Sequence, residues 1–190
     1  MRLQSSHDHA ARGLDAYFSP PEAVHSLLGI ESKHLPRHIL EPAAGDGAIV
    51  KPLRAAGYTV TASDITDYGL EDCTSGVDYL TAEPVAGVKG VVTNPPYKLA
   101  LPFARKALQE VPYLAFLLRT NFLESTSRLP FFRARPPARI WISARRLPMM
   151  HRRGWTGPRA VSNTCFAWFI WDAAGASGCT VNWFDWKDFA

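Results

Sequence analysis

Apolar positions along the chain fall into short runs divided by polar segments that carry Gly and Pro. Some runs are dense in β-branched and aromatic residues, and others show helical spacing. That alternation predicts βα units around a mainly parallel sheet. Arg37–Glu41 and Tyr58–Ile65 read as the first two strands. Between them lie a glycine turn and a helix over Ala48–Ala56, closed by Gly57 at a position that suits a C′ residue. Gly76–Thr81 reads as a short third strand and Val88–Thr93 as a fourth. A helix over Ala100–Glu110 turns Phe103, Ala107 and Leu108 inward. Tyr113–Leu118 is nearly all apolar, as expected of a central strand buried on both faces. A helix over Asn121–Phe132 follows, then strands Arg139–Ser143 and Phe166–Asp172. Near the N-terminus, Ser19 is placed to cap a helix that has Pro20 at its first position and Glu22 three residues on. That helix would run through Ala23, Val24, Leu27 and Leu28 to Gly29. The tail after Gly175, with Trp183, Phe184 and Trp186, reads as a packing segment.

The fourth strand ends abruptly in Asn94-Pro95-Pro96-Tyr97. Two prolines in a row cannot donate to a ladder, and each biases the residue before it to extended geometry. The result is a stiff tip carrying one amide side chain, two backbone carbonyls without local partners, and one aromatic ring. In an open α/β sheet, ligands gather at that end of the strands. The bland alternative is an ordinary loop. Upstream, the first strand ends in Glu41-Pro42-Ala43-Ala44-Gly45-Asp46-Gly47, where two glycines permit backbone geometry and close approach that a side chain would block. This is not a GxGxxG fingerprint and no P-loop lysine follows, which argues against dinucleotides and nucleoside triphosphates. Asp64 ends the second strand about 20 residues on, at the interval of a ribose-binding carboxylate, with Ile65 beside it. Asp78 stands in the predicted third strand, with Asp67 and Asp72 as alternatives for its role.

A chain of 190 residues with 47% hydrophobic content fits one globular domain, here residues 15–190 behind a flexible 1–14. His7 and His9 sit in that polar N-terminus and are not read as ligands. No apolar run reaches membrane-spanning length, and no signal-peptide core opens the chain. Cys73, Cys165 and Cys179 are widely spaced, which argues against a metal site or a disulfide frame and for a reducing cytoplasm. The net charge of +4 conceals an asymmetry. Ser125 to Trp171 holds nine arginines and no acid, so it contributes +9 and leaves −5 elsewhere. Arginine suits bidentate phosphate contact. The 21-residue connection Ala144–Thr164 concentrates Arg145, Arg146, His151, Arg152, Arg153, Trp155 and Arg159. Arginines with an interposed tryptophan suit backbone contact plus base stacking, so this connection is the expected nucleic-acid contact.

Asn94-Pro95-Pro96-Tyr97 resembles motif IV of the class I S-adenosylmethionine-dependent methyltransferases that modify exocyclic or amide nitrogens, above all the N6-adenine DNA methyltransferases. Glu41-Pro42 through Gly47 resembles their motif I. Tyr17-Phe18-Ser19-Pro20 resembles motif X, with serine for the usual threonine, and Asp78-Tyr79 resembles motif III. The resemblance covers Asp15 to about Asp172. It implies a Rossmann-like, seven-stranded α/β methyltransferase sheet with helices on both faces and an antiparallel last strand. It implies S-adenosylmethionine as cofactor, held by Tyr17, Phe18, Ser19, Pro20, Glu41, Ala43, Gly45, Gly47, Asp64, Ile65, Asp78, Tyr79 and Asn94. It implies catalysis by Asn94, Pro95, Pro96 and Tyr97 on adenine N6 in DNA. The alternatives are RNA adenine, guanine N2, a protein glutamine, or a silent nucleic-acid-binding module. The absence of room for a target-recognition domain departs from the large restriction-associated enzymes. No metal or membrane is implied, and the oligomeric state stays open.

Overall fold

In the computed structural model, residues 19–149, 164–175 and 178–189 are described. They form one eight-stranded sheet in the order β3-β2-β1-β4-β5-β7-β6-β8. The strands are β1 (His38–Glu41), β2 (Thr59–Asp64), β3 (Cys73–Ser75), β4 (Gly90–Thr93), β5 (Tyr113–Arg119), β6 (Arg139–Ser143), β7 (Phe166–Asp172) and β8 (Thr180–Phe184). β7 runs antiparallel to both β5 and β6, as expected for that strand. It is not the last, however. β8 lies outside β6 and parallel to it, with Arg139 opposite Thr180 and Ser143 opposite Phe184. The expected count of seven is corrected to eight. The tail read as packing does both jobs, since Trp186–Phe189 forms a 3-10 turn against the first helix.

The helices α1 (Pro21–Glu31) and α2 (Val50–Ala55) cover one sheet face, and α3 (Ala100–Glu110) and α4 (Leu129–Ala134) the other. The strict alternation of β5 makes this possible. Tyr113, Ala115 and Leu117 enter the α1/α2 core, while Leu114, Phe116 and Leu118 enter the α3/α4 core. A central strand must be apolar on both sides, which is why that run reads so cleanly in the sequence. α2 ends in a Schellman motif: the Gly57 N–H donates to Arg54 O at 2.9 Å, and the Tyr58 N–H to Leu53 O at 3.1 Å.

Four local expectations need correction. The third strand is Cys73–Ser75, not Gly76–Thr81, because Gly76 breaks it with φ +76°. Residues 78–82 then make one turn, capped by Asp78 Oδ1 accepting from the Leu80 N–H at 3.0 Å. The expected helix over 121–132 is split into a 3-10 turn, Thr120–Leu123, and α4. Ser125 and Ser127 bond locally, and the Arg128 guanidinium donates to the carbonyls of Asn121, Phe122 and Glu124 at 2.7–3.1 Å, ending the first turn early. α1 has no side-chain cap from Ser19, and it runs past Gly29 to Glu31. Gly29 is there for contact, since a Cβ would lie 2.2 Å from the Phe189 ring. α2 begins at Val50 rather than Ala48, the residues before it being taken up by the glycine loop.

At the N-terminal edge of the sheet, Glu31 is wholly buried. It accepts from Arg139 Nε at 2.8 Å and Nη2 at 2.9 Å, from Trp141 Nε1 at 2.7 Å and from the Tyr113 hydroxyl at 3.1 Å. Arg139 also donates to Asp172 at 2.7 Å. This network ties the end of α1 to the starts of β5 and β6. It also fixes the direction of α1, whose N-terminus at Ser19–Pro20 points to the opposite edge.

Candidate active site

The strand order reverses between β1 and β4, the position at which an open α/β sheet places a ligand crevice at its C-terminal edge. Glu41 ends β1 on one side of it. Asn94-Pro95-Pro96-Tyr97 leaves β4 on the other, with Tyr97–Leu99 forming a 3-10 turn before α3. Pro95 is buried, and Asn94, Pro96 and Tyr97 are half-buried. The prolines stop β4 as the sequence requires, and the tip stands over the crevice.

The loop after β1 is braced by side chains rather than by a helix. Gly45 and Gly47 have φ of +55° and +87°, and a Cβ on Gly47 would meet Leu70 Cδ1 at 2.6 Å. The Ala43 N–H donates to Glu41 Oε1 at 3.0 Å, and the Gly45 N–H to Asp64 Oδ2 at 2.9 Å. Asp64 Oδ1 accepts from the Thr66 N–H at 2.8 Å. Each Asp64 oxygen therefore holds one backbone donor and keeps a second lone pair for a ligand. Ile65 follows and is 59% exposed. Leu70, over the glycine loop, was not singled out in the sequence, where its segment shows no period.

Glu41 is fully buried, and burial pushes its carboxyl up to about 8. The nearby Thr93 hydroxyl and the Ala43 N–H oppose that shift, and the charge of Asp64 adds to it. The Thr93 approach falls short of a formed bond: Glu41 Oε2 and Thr93 Oγ1 have no hydrogen-bond partner among the described residues. Burial and the charge of Asp64 raise Tyr68 and Cys73 as well, with Asp46 also raising Tyr68, and Glu41 and Asp67 also raising Cys73. Asp46, Asp64 and Asp67 thus place carboxylates around the glycine loop, and Glu41 Oε2 and Thr93 Oγ1 are buried beside it without a partner among the described residues. A cationic ligand with hydrogen-bond donors fits that chemistry.

Other expected residues fall differently. The Val77 N–H donates to Asp64 O at 3.0 Å, which brings the exposed Asp78 beside the end of β2. Tyr79 is turned away from the crevice. Its ring packs on Phe103 at 4.9 Å and its hydroxyl donates to Glu110 at 3.1 Å, so it is a core residue under α3. Ser19 and Pro20 are buried at the start of α1. Tyr17, Phe18, His151, Arg152, Arg153, Trp155 and Arg159 lie outside the described residues.

The arginine excess is less available than its charge suggests. Arg139 is held by Glu31 and Asp172, and Arg128 by carbonyls. Arg145 forms a bidentate pair with Asp185 at 2.8–3.0 Å, so the exposed pairing raises Arg145 and lowers Asp185. Arg146 donates to Cys165 Sγ at 2.8 Å. Arg145 and Arg146 do follow β6 at the same edge as the tip, three strands from β4, or roughly 14 Å across the sheet.

No protein-family model matches the chain, and a search of curated proteins found no match. Solved structures do resemble it. A provisionally assigned RNA methyltransferase from Pyrococcus horikoshii superposes with a TM-score of 0.61 at 12% identity, over 83% of this chain and 87% of the other. A provisionally assigned class I S-adenosylmethionine-dependent methyltransferase from Listeria monocytogenes gives 0.56 at 14%, over 91% and 67%. The chain has the class I methyltransferase fold. A modification subunit of a provisionally assigned type I restriction enzyme from Vibrio vulnificus gives 0.56 at 14%, over 87% of this chain and only 46% of that one. Among the described residues no group of three or more His, Cys, Asp or Glu could hold a metal, and no helix is long and apolar enough to cross a membrane.

Proposed function

We propose that the protein transfers a methyl group from S-adenosylmethionine to the exocyclic N6 amine of adenine in DNA. The observation that carries this reading is the placement of Asn94-Pro95-Pro96-Tyr97 across the β1/β4 crevice from Glu41, the glycine loop and Asp64. The cofactor carries positive charge on its sulfonium and its ammonium. The carboxylates around the loop and the Glu41 and Thr93 oxygens that have no partner among the described residues fit it. Asp64 would take the ribose hydroxyls on its remaining lone pairs, Ile65 and Asp78 would flank the adenine, and Ala43 and Gly45 would line the approach. Bound there, S-adenosylmethionine supplies an electrophilic methyl.

The chain's own residues supply position. An adenine N6 amine is a poor nucleophile because its lone pair is spread into the ring. The Asn94 side-chain oxygen and the Pro95 carbonyl would accept its two N–H bonds and favour a pyramidal nitrogen with the lone pair aimed into the cleft. Pro96 stiffens the tip, and Tyr97 stacks on the base. Positioning with electrostatic stabilisation of this kind needs no general base: the C–S bond breaks as the N–C bond forms, the sulfur leaves as a neutral thioether, and the methylated amine then loses its extra proton to water. The base arrives flipped or from a single strand. The arginine-bearing connection between β6 and β7 would contact phosphates.

The test is transfer of labelled methyl to matched DNA and RNA, followed by nucleoside mass spectrometry. N6-methyladenine in DNA is the expected product. Label in RNA alone would keep the mechanism and replace the substrate. Cofactor binding without label in either polymer would overturn the nucleic-acid reading.

A further inference from the structure

Tyr97 is held by a pair of side chains that the sequence motif does not include. The Arg119 guanidinium lies over the Tyr97 ring, 4.6 Å from its centroid. Phe166 approaches the same ring at 6.4 Å, tilted by 45°. Arg119 and Phe166 stand directly opposite each other in the β5–β7 ladder, so both side chains leave the same sheet face. The ladder continues one step beyond them, where the Thr120 N–H donates to Cys165 O at 3.0 Å. The grip is therefore built on the ends of two paired strands, not on a loop.

We propose that Arg119 is a positioning residue that sets the plane of the Tyr97 ring before substrate arrives. The inference rests on Asn94–Tyr97 being the amine-holding tip. A ring that stacks on a base must offer one face and have the other backed, or it swings and the amine moves with it. A planar guanidinium backs a ring across its whole face, whereas an ammonium offers a point charge. Small displacements of a reacting group cost large factors in rate. β5 is otherwise apolar, and its one charged residue stands at the C-terminal end, beside the crevice.

The test uses the full chain with Arg119→Met and Arg119→Lys. The first readout is the ring signals of Tyr97 in protein labelled with ring-carbon-13 tyrosine, assigned by Tyr97→Phe. The second is turnover on adenine-containing DNA and RNA oligonucleotides. Arg119→Met should shift the Tyr97 signals and lower kcat about tenfold, with calorimetric affinity for S-adenosylmethionine unchanged. Arg119→Lys should recover part of kcat. Unchanged Tyr97 signals, or unchanged kcat in a protein that methylates, would overturn the proposal. So would a matching loss of cofactor affinity, which would mark Arg119 as part of the general scaffold. A parent protein that methylates neither polymer refutes the functional reading, while the ring signals still decide whether Arg119 holds Tyr97.

Discussion

The two edges of the sheet each bury a glutamate, and the two are treated in opposite ways. Glu31, at the N-terminal edge, accepts four hydrogen bonds and faces a guanidinium. Its neighbours respond to the charge: burial, then the Glu31 carboxylate, raises the Tyr113 hydroxyl far above its usual range. Glu41, at the C-terminal edge, has one backbone donor, and among the described residues its second oxygen has no partner. Buried polar groups in folded proteins are normally satisfied, so the first edge is what stability alone produces. The second edge keeps unmet hydrogen-bonding capacity beside two left-handed glycines and a proline-stiffened tip. That pattern is what the cofactor site proposed above would require.

Four substitutions sharpen that contrast. The largest effect should come from Asn94→Ala, which removes one of the two proposed amine acceptors. It should lower kcat by roughly a thousandfold with cofactor affinity intact, a loss of the size seen when one transition-state hydrogen-bond partner is removed. Methyl-transfer kinetics and calorimetric titration measure the two halves. Cofactor binding lost together with the fold would remove support for the catalytic assignment. At the opposite edge, Glu31→Ala should cost about 3 kcal/mol in denaturant unfolding, because Arg139, Trp141 and Tyr113 all lose their buried acceptor. A midpoint unchanged in urea would show that the network is not what joins α1 to the sheet.

Glu41→Gln should act through pH. The folded carboxyl titrates at about 8 against an ordinary 4.5, so the fold favours its protonated form. That contribution is complete below about pH 4.5 and fades as the pH rises through 8. The cofactor-free protein should therefore lose melting temperature between roughly pH 4.5 and pH 8, and Glu41→Gln should flatten that slope. Parallel slopes for the two proteins would mean that Glu41 is ionised in the fold. The smallest effect is expected from Arg145→Ala. Its partner is Asp185 at the surface, so melting should not change, and nucleic-acid affinity should fall by no more than about twofold. A loss of an order of magnitude in a filter-binding assay would return Arg145 to the substrate surface.

The elements that could be read from the chain are those set by local chemistry. β5 announces itself because burial on both faces demands an unbroken apolar run. β4 ends where Pro95 and Pro96 forbid continuation. The glycine loop and Asp64 are recognisable because their backbone demands leave few residue choices. What escaped depends on partners far along the chain. The split of 121–132 follows from Arg128 reaching back to three carbonyls. β8 shows Val181 and Trp183 outward, so its pattern reads as a loose aromatic tail until β6 is beside it. Counting arginines overstated the basic surface, since Glu31, Asp172 and Asp185 lie outside the acid-free segment yet fold onto it. Tyr79 looked like a cofactor neighbour by register, but its ring finds Phe103 and Glu110 first.

The insertion of β7 between β5 and β6 has a consequence for synthesis. β6 pairs only with β7 and β8, both of which follow it in the chain. As the polypeptide emerges, β6 has no neighbour to join until Phe166–Asp172 has also appeared, and β8 must wait for β6. Five of the eight strands, β1 to β5, can assemble early, while the other three close in one late event. Non-local closure of this kind is slow and exposes apolar strands in the meantime. A nascent chain stalled before β7 should therefore be the species most in need of a chaperone.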